Sequence, residues 1–79
     1  MNPIDMIGRE INVDDFVVFY SNIYQVKALG KPNINSNRGY VKMILVDKSK
    51  TTKTVNKYSG DICIIDKNDV LVWKLKGGM

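Results

Sequence analysis

Turn-forming residues interrupt this chain at intervals of about eight to twelve positions, and short windows of β-branched and aromatic residues stand between them. The windows read "FVVFYS", "IYQVKALG", "GYVKMILVD", "ICIID" and "VLVWKL". None sustains a helical period over the roughly ten to twelve residues that would mark a helix, so no helix of useful length is expected. Instead, Tyr24, Val26 and Ala28 alternate with Gln25 and Lys27. Val41, Met43 and Leu45 form one face of a strand whose other face is Tyr40, Lys42 and Ile44. Each strand therefore has an inner face and a wetter one. Ser21 and Asn22 can close a hairpin between the first two windows, and "DKND", from Asp66 to Asp69, can close another between the last two. The stretch "GKPNINSNRG", residues 30–39, reads as a long loop. The expected fold is all-β, with five strands in a small barrel, because closure removes the exposed edges of a small sheet.

A chain of 79 residues makes one small domain, residues 1–79, with loose ends expected at about 1–8 and 76–79. The single cysteine, Cys63, has no partner for a disulfide and lies in "ICII", where a thiol behaves as a small hydrophobe. A reducing, cytoplasmic setting is the expectation. The opening "MNPIDMIGREI" carries Asp5 and Glu10 and does not read as a signal peptide. No apolar run approaches the roughly 18 residues of a membrane span, so no membrane partner is expected.

The chain has no histidine, which removes Ser/His and Cys/His nucleophile pairs and the common zinc sites. Its six glycines are scattered or terminal rather than gathered into a phosphate loop. Carboxylate pairs remain, at Asp14 and Asp15 and at Asp66 and Asp69. Both pairs sit where Asp and Asn bond their own backbone in turns. The expectation is a protein that is not an enzyme and that carries no cofactor and no metal.

Charge is distributed unevenly. Through residue 39, Arg9, Lys27, Lys31 and Arg38 balance Asp5, Glu10, Asp14 and Asp15, so the net charge of +4 arises in the second half. Within residues 42–57, Lys42, Lys48, Lys50, Lys53 and Lys57 face only Asp47. A hairpin built from "YVKMILV" and "KTVNKY" would carry Lys48, Lys50 and Lys53 around its tip, with Lys42 and Lys57 on its stem. Lysines at a hairpin tip can simply keep it wet and deter strand addition. Interleaved with Ser49, Thr51, Thr52 and Thr54, they can also hold a phosphate backbone without reading sequence.

Exposed rings would distinguish a single strand, on whose bases they stack. In "FVVFY" no alternation buries Phe16, Phe19 and Tyr20 together, so at least one ring must face outward. Arg38, Tyr40 and Lys42 alternate along one line and form a candidate stacking and phosphate patch. Trp73 alternates with Leu71 and Leu75 and reads as core.

The segment "REINVDDFVVF" followed by "YQVKALGK" resembles the start of SH3-like small barrels of the KOW and Tudor type, through Val13, Asp15, Val17 and Gly30. Asp14 stands where that pattern usually has glycine. The chain is also similar in style to small early proteins of T4-like bacteriophages. These resemblances imply a five-stranded SH3-like barrel that binds nucleic acid or protein and catalyses nothing. The ending "VLVWKLKGGM" is similar to the tail of ubiquitin-like modifiers, but residues 30–39 are too rich in Pro, Gly and Asn to supply the helix such folds need. The leading expectation is binding of RNA or single-stranded DNA through Arg38, Tyr40, Lys42, Lys48, Lys50, Thr51, Thr52, Lys53 and Lys57. The alternative is a module that inhibits a host enzyme or defence factor, anchored by an exposed ring of "FVVFYSNIY".

Overall fold

The computed structural model describes residues 2–46 and 53–75, with 72–75 described as backbone only. Five strands follow one another as β1 (Phe16–Phe19), β2 (Asn22–Leu29), β3 (Tyr40–Leu45), β4 (Thr54–Tyr58) and β5 (Cys63–Ile65). A 3₁₀ turn, Ser59–Asp61, joins β4 to β5, and a helix, α1 (Lys67–Leu75), follows. All the pairings are antiparallel, and they make one sheet in the order β4-β3-β2-β1-β5. The fold is all-β as expected. The sheet is open, with β4 and β5 as its edges. It nevertheless curls, for Lys57 of β4 reaches across the concave side to Phe19 of β1, its Nζ 4.9 Å from the ring centroid. A bulge at Lys27, where the β2–β3 register slips between Val26 and Ala28, supplies part of that twist.

The concave side holds the core. Ile11, Val17, Val26, Val41, Met43 and Ile62 are fully buried there, with Phe19, Tyr24, Leu29, Val55 and Ile64 packed around them. Each such side chain, withdrawn from water, contributes about 1.5 to 3 kcal/mol before chain entropy is counted.

Three local expectations need correction. "VLVWKL" is not the fifth strand, because it lies in α1 while "TVNKY" supplies β4. Asp66 starts that helix rather than closing a hairpin: its carboxylate accepts the Asn68 N–H at 3.2 Å and its carbonyl those of Asp69 and Val70. Trp73 and Leu75 lie among the residues described only as backbone. The tight turn between β1 and β2 is Tyr20-Ser21, one residue earlier than expected, since Phe19 pairs with Asn22. Asp14 and Asp15 do form a turn, in which the Asp15 carboxylate accepts the Asn12 N–H at 2.8 Å.

Residues 2–8, read from the sequence as a loose end, are held down. Pro3 and Asp5 are fully buried, and Ile4 bridges to Glu10. Asp5 Oδ1 accepts the N–H groups of Ile7 (3.1 Å) and Arg9 (2.8 Å), while Oδ2 accepts those of Ile64 (3.0 Å) and the Arg9 Nε (3.2 Å). The Arg9 guanidinium completes an ion pair at 3.1 Å and also reaches the Ile64 carbonyl and Cys63 Sγ, the latter at 3.2 Å. Cys63 is half-buried rather than sealed in the core.

Burial alone would raise the Asp5 pKa, but the N–H donors of Ile64, Arg9 and Ile7 and the Arg9 charge outweigh it and hold the carboxyl below its ordinary 3.8. A depressed folded pKa makes this contribution complete above the unfolded value and lost as pH falls through the folded one. Asp5→Asn should therefore cost about 3 kcal/mol at neutral pH and flatten the acid limb of the stability curve, as read by urea melts from pH 2 to 7. An unchanged acid limb would show that the clasp does not contribute to stability.

Candidate nucleic-acid interface

The outer face of β2, β3 and β4 gathers the polar and aromatic side chains that the core leaves out. Val41 and Met43 of β3 enter the core, so the pleat turns Tyr40 and Lys42 to solvent. The register then sets Tyr58 opposite Tyr40, Asn56 opposite Lys42 and Thr54 opposite Ile44, with Ala28 on the other side of Lys42. Tyr40 is 61% exposed and meets the Tyr58 ring edge-on, with centroids 5.8 Å apart and planes at 61°. An open cleft of about 450 Å³ lies here, lined by Ala28, Leu29, Gly30, Tyr40, Lys42 and Asn56. None of the three strands contains an acidic residue.

Backbone contacts fix the aromatic pair from both sides. Gly30 donates its N–H to the Tyr40 carbonyl at 2.8 Å, and a Cβ on Gly30 would stand only 2.8 Å from that oxygen. On the β4 side, the Ser59 N–H donates to the Gly39 carbonyl at 2.7 Å and the buried Ser59 Oγ accepts the Gly39 N–H at 3.1 Å. At Gly60, a Cβ would sit 2.8 Å from the Tyr58 ring and 3.0 Å from the Arg38 side chain. The ring can therefore lie close over the 3₁₀ turn only because position 60 has no side chain.

Of the residues expected to form the site, Tyr40 and Lys42 share this face. Arg38 borders Tyr58 at Gly60 with its stem, but its guanidinium is directed elsewhere. The residue is half-buried and donates to the carbonyls of Asp5 (3.1 Å) and Met6 (3.5 Å). The strand alternation that seemed to align it with Tyr40 does not reach back that far, since β3 begins at Tyr40 and Asn37 turns the chain with φ 59°. Lys57 points to the opposite face, over Phe19, because it lies one residue from Tyr58 on a pleated strand. Lys53 is exposed just before β4. Lys48, Lys50, Thr51 and Thr52 lie outside the described residues.

Tyr58 and Asn56 were missed as site residues. The span between Leu45 and Thr54 is too long to fix a hairpin register, so the sequence did not set Tyr58 opposite Tyr40. Elsewhere, Tyr20 is the outward ring that "FVVFY" required, at 85% exposure.

Among the described residues, no helix is long and apolar enough to cross a membrane, and no cluster of three acidic or cysteine side chains is placed to hold a metal. The chain matches no family model, no curated protein and no solved structure. Because Gly30 abuts the Tyr40 carbonyl, Gly30→Ala should force the β2–β3 ladder apart at the cleft and lower stability by about 2 kcal/mol. Thermal melts with amide exchange at residue 30, whose N–H donates to the Tyr40 carbonyl, would read this, and a wild-type melting point would show that the ladder yields freely.

Proposed function

We propose that this protein binds single-stranded nucleic acid, RNA or DNA, across the outer face of β2, β3 and β4, without catalysing a reaction on it. A base stacks on Tyr40, with Tyr58 as the side wall, and Lys42 meets the adjoining phosphate. The lysines of residues 48–53 extend the positive field along the backbone. One observation carries this reading. Tyr40 and Lys42 are exposed on β3, an interior strand, where edge protection cannot account for a large ring beside a cation. Asn56, across from Lys42, offers both a donor and an acceptor to a base edge. In this reading the curled five-stranded sheet is an SH3-like small barrel of KOW or Tudor type, acting in the cytoplasm of a host that the protein helps to take over.

A protein-docking module, which blocks a host enzyme or defence factor, is favoured by the exposed ring of Tyr20 and by exposed apolar side chains such as Ile34 and Ile7. Salt separates the two readings. Backbone binding should weaken steeply between about 50 and 200 mM salt, whereas an apolar interface tolerates the change. By fluorescence anisotropy, Tyr40→Ala should cost about 1 to 3 kcal/mol on single strands and much less on duplex. Lys42→Gln should reduce the salt slope by roughly one. Replacing Lys48, Lys50 and Lys53 together with glutamate should abolish retention with little change in melting temperature. Undiminished binding by the triple variant would confine the site to the Tyr40 face, whereas a parent protein that retains no single strand at low salt would leave the docking reading in front.

A further inference from the structure

We infer that the tip of the β1–β2 hairpin is a second nucleotide-binding station, on the concave side of the sheet, and that a bound strand passes over the β4 edge to reach it. This rests on the nucleic-acid reading and extends it to a part of the molecule remote from the cleft. Tyr20 is the most exposed ring among the described side chains, and its backbone has φ 56°, a left-handed conformation that costs a residue with a Cβ about 1 kcal/mol. Asparagine or glycine would make this two-residue turn without that cost. The Tyr20 ring lies 4.5 Å from that of Phe19, tilted at 55°, and Tyr24 backs Phe19 edge-on at 6.3 Å. The exposed ring is thus seated on others rather than left free.

A cation stands at the same place. Lys57 Nζ lies 4.9 Å from the Phe19 centroid, and among the described residues no carboxylate pairs with it. An ammonium over a ring face still has N–H donors directed away from the ring, which can meet an anion on its outer side. Phe19 thus carries the exposed Tyr20 ring on one side and the Lys57 ammonium over its face, a pairing that fits a base with its phosphate better than an apolar side chain of a protein partner, which would have to desolvate that charge. Lys57 and Tyr58 are neighbours on β4, with side chains on opposite faces. Among the described residues, nothing pairs with β4 on its outer side. A single strand laid along Tyr40 and Tyr58 can therefore turn over this edge onto Lys57 and Tyr20, whereas a stiff duplex cannot.

Oligo-dT of about four and about twelve nucleotides provides the test, titrated against the parent, Tyr20→Gly, Lys57→Gln and, as the outer-face control, Tyr40→Ala. Tyr20→Gly removes the ring and relieves the backbone, so its melting point should stay level or rise. It should bind the short oligomer as the parent does and the long one about tenfold more weakly. Lys57→Gln should weaken the long oligomer and also lower its salt slope. Tyr40→Ala should weaken both lengths. If Tyr20→Gly and Lys57→Gln hold the long oligomer like the parent while Tyr40→Ala does not, the second station is wrong and the outer-face site stands. If the parent binds neither oligomer, the nucleic-acid reading fails, and the second station fails with it.

Discussion

Asp5, whose carboxylate is withdrawn from water and surrounded by N–H groups, joins three parts of the chain through that carboxylate and its own carbonyl. The two carboxylate oxygens take donors from its own loop, through Ile7 and Arg9, and from β5, through Ile64. The Asp5 carbonyl then takes the Arg38 guanidinium from the segment that leads into β3. Such an arrangement is stable only when it is complete, because an ionised carboxylate without its donors would carry the full cost of leaving water. Completing it lays the N-terminal segment along the open side of the sheet, where Ile11 enters the core. The short β5, with only three paired residues, depends on that support.

With β5 held, the sheet can remain open and still enclose a core. Its closing contact is made by side chains instead of a ladder: the Lys57 stem and ammonium lie against Phe19, two strands beyond the neighbour that β4 bonds to. The same clasp bears on the outer face. Arg38, tied to the Asp5 loop, flanks Gly60, and Gly60 lies beneath the Tyr58 ring. A change at Asp5 therefore has a physical route to the Tyr40–Tyr58 pair, through Arg38 and the 3₁₀ turn, without touching either ring.

What could be read from the sequence followed the range of the interactions involved. The β3 strand was legible because Val41 and Met43 alternate with Tyr40 and Lys42, a local period that burial of one face imposes. The hairpin with β4 was legible from charge and turn chemistry. Helix α1 was not, since Val70 to Trp73 is a short apolar run that fits strand or helix equally, and an Asp followed by Asn serves an Asx turn or an N-cap alike. The Asp5 clasp left no local mark at all. Its partner Ile64 is 59 residues away, and a carboxylate in a short polar segment looks like any solvated one. Arg38 was misassigned for the same reason, its acceptors lying more than thirty residues upstream.

Edge protection and ligand binding ask for the same residue, lysine, and their separation depends on which strand carries it. β4 is an edge, and a lysine turned inward from an edge strand blocks the addition of a further strand, because its charge would be trapped between sheets. That explains the position of Lys57 whether or not anything binds. It explains nothing about Lys42 and Tyr40, because β3 has both of its edges occupied by β2 and β4. The Tyr40 ring contributes to β3–β4 pairing through its edge-on contact with Tyr58, yet it leaves most of its apolar area in water, and Lys42 beside it serves no edge, so the two together suit an outside partner. The cleft beside them, bordered by Lys42 and Asn56 and free of acidic side chains on its three strands, has the charge and shape to receive one.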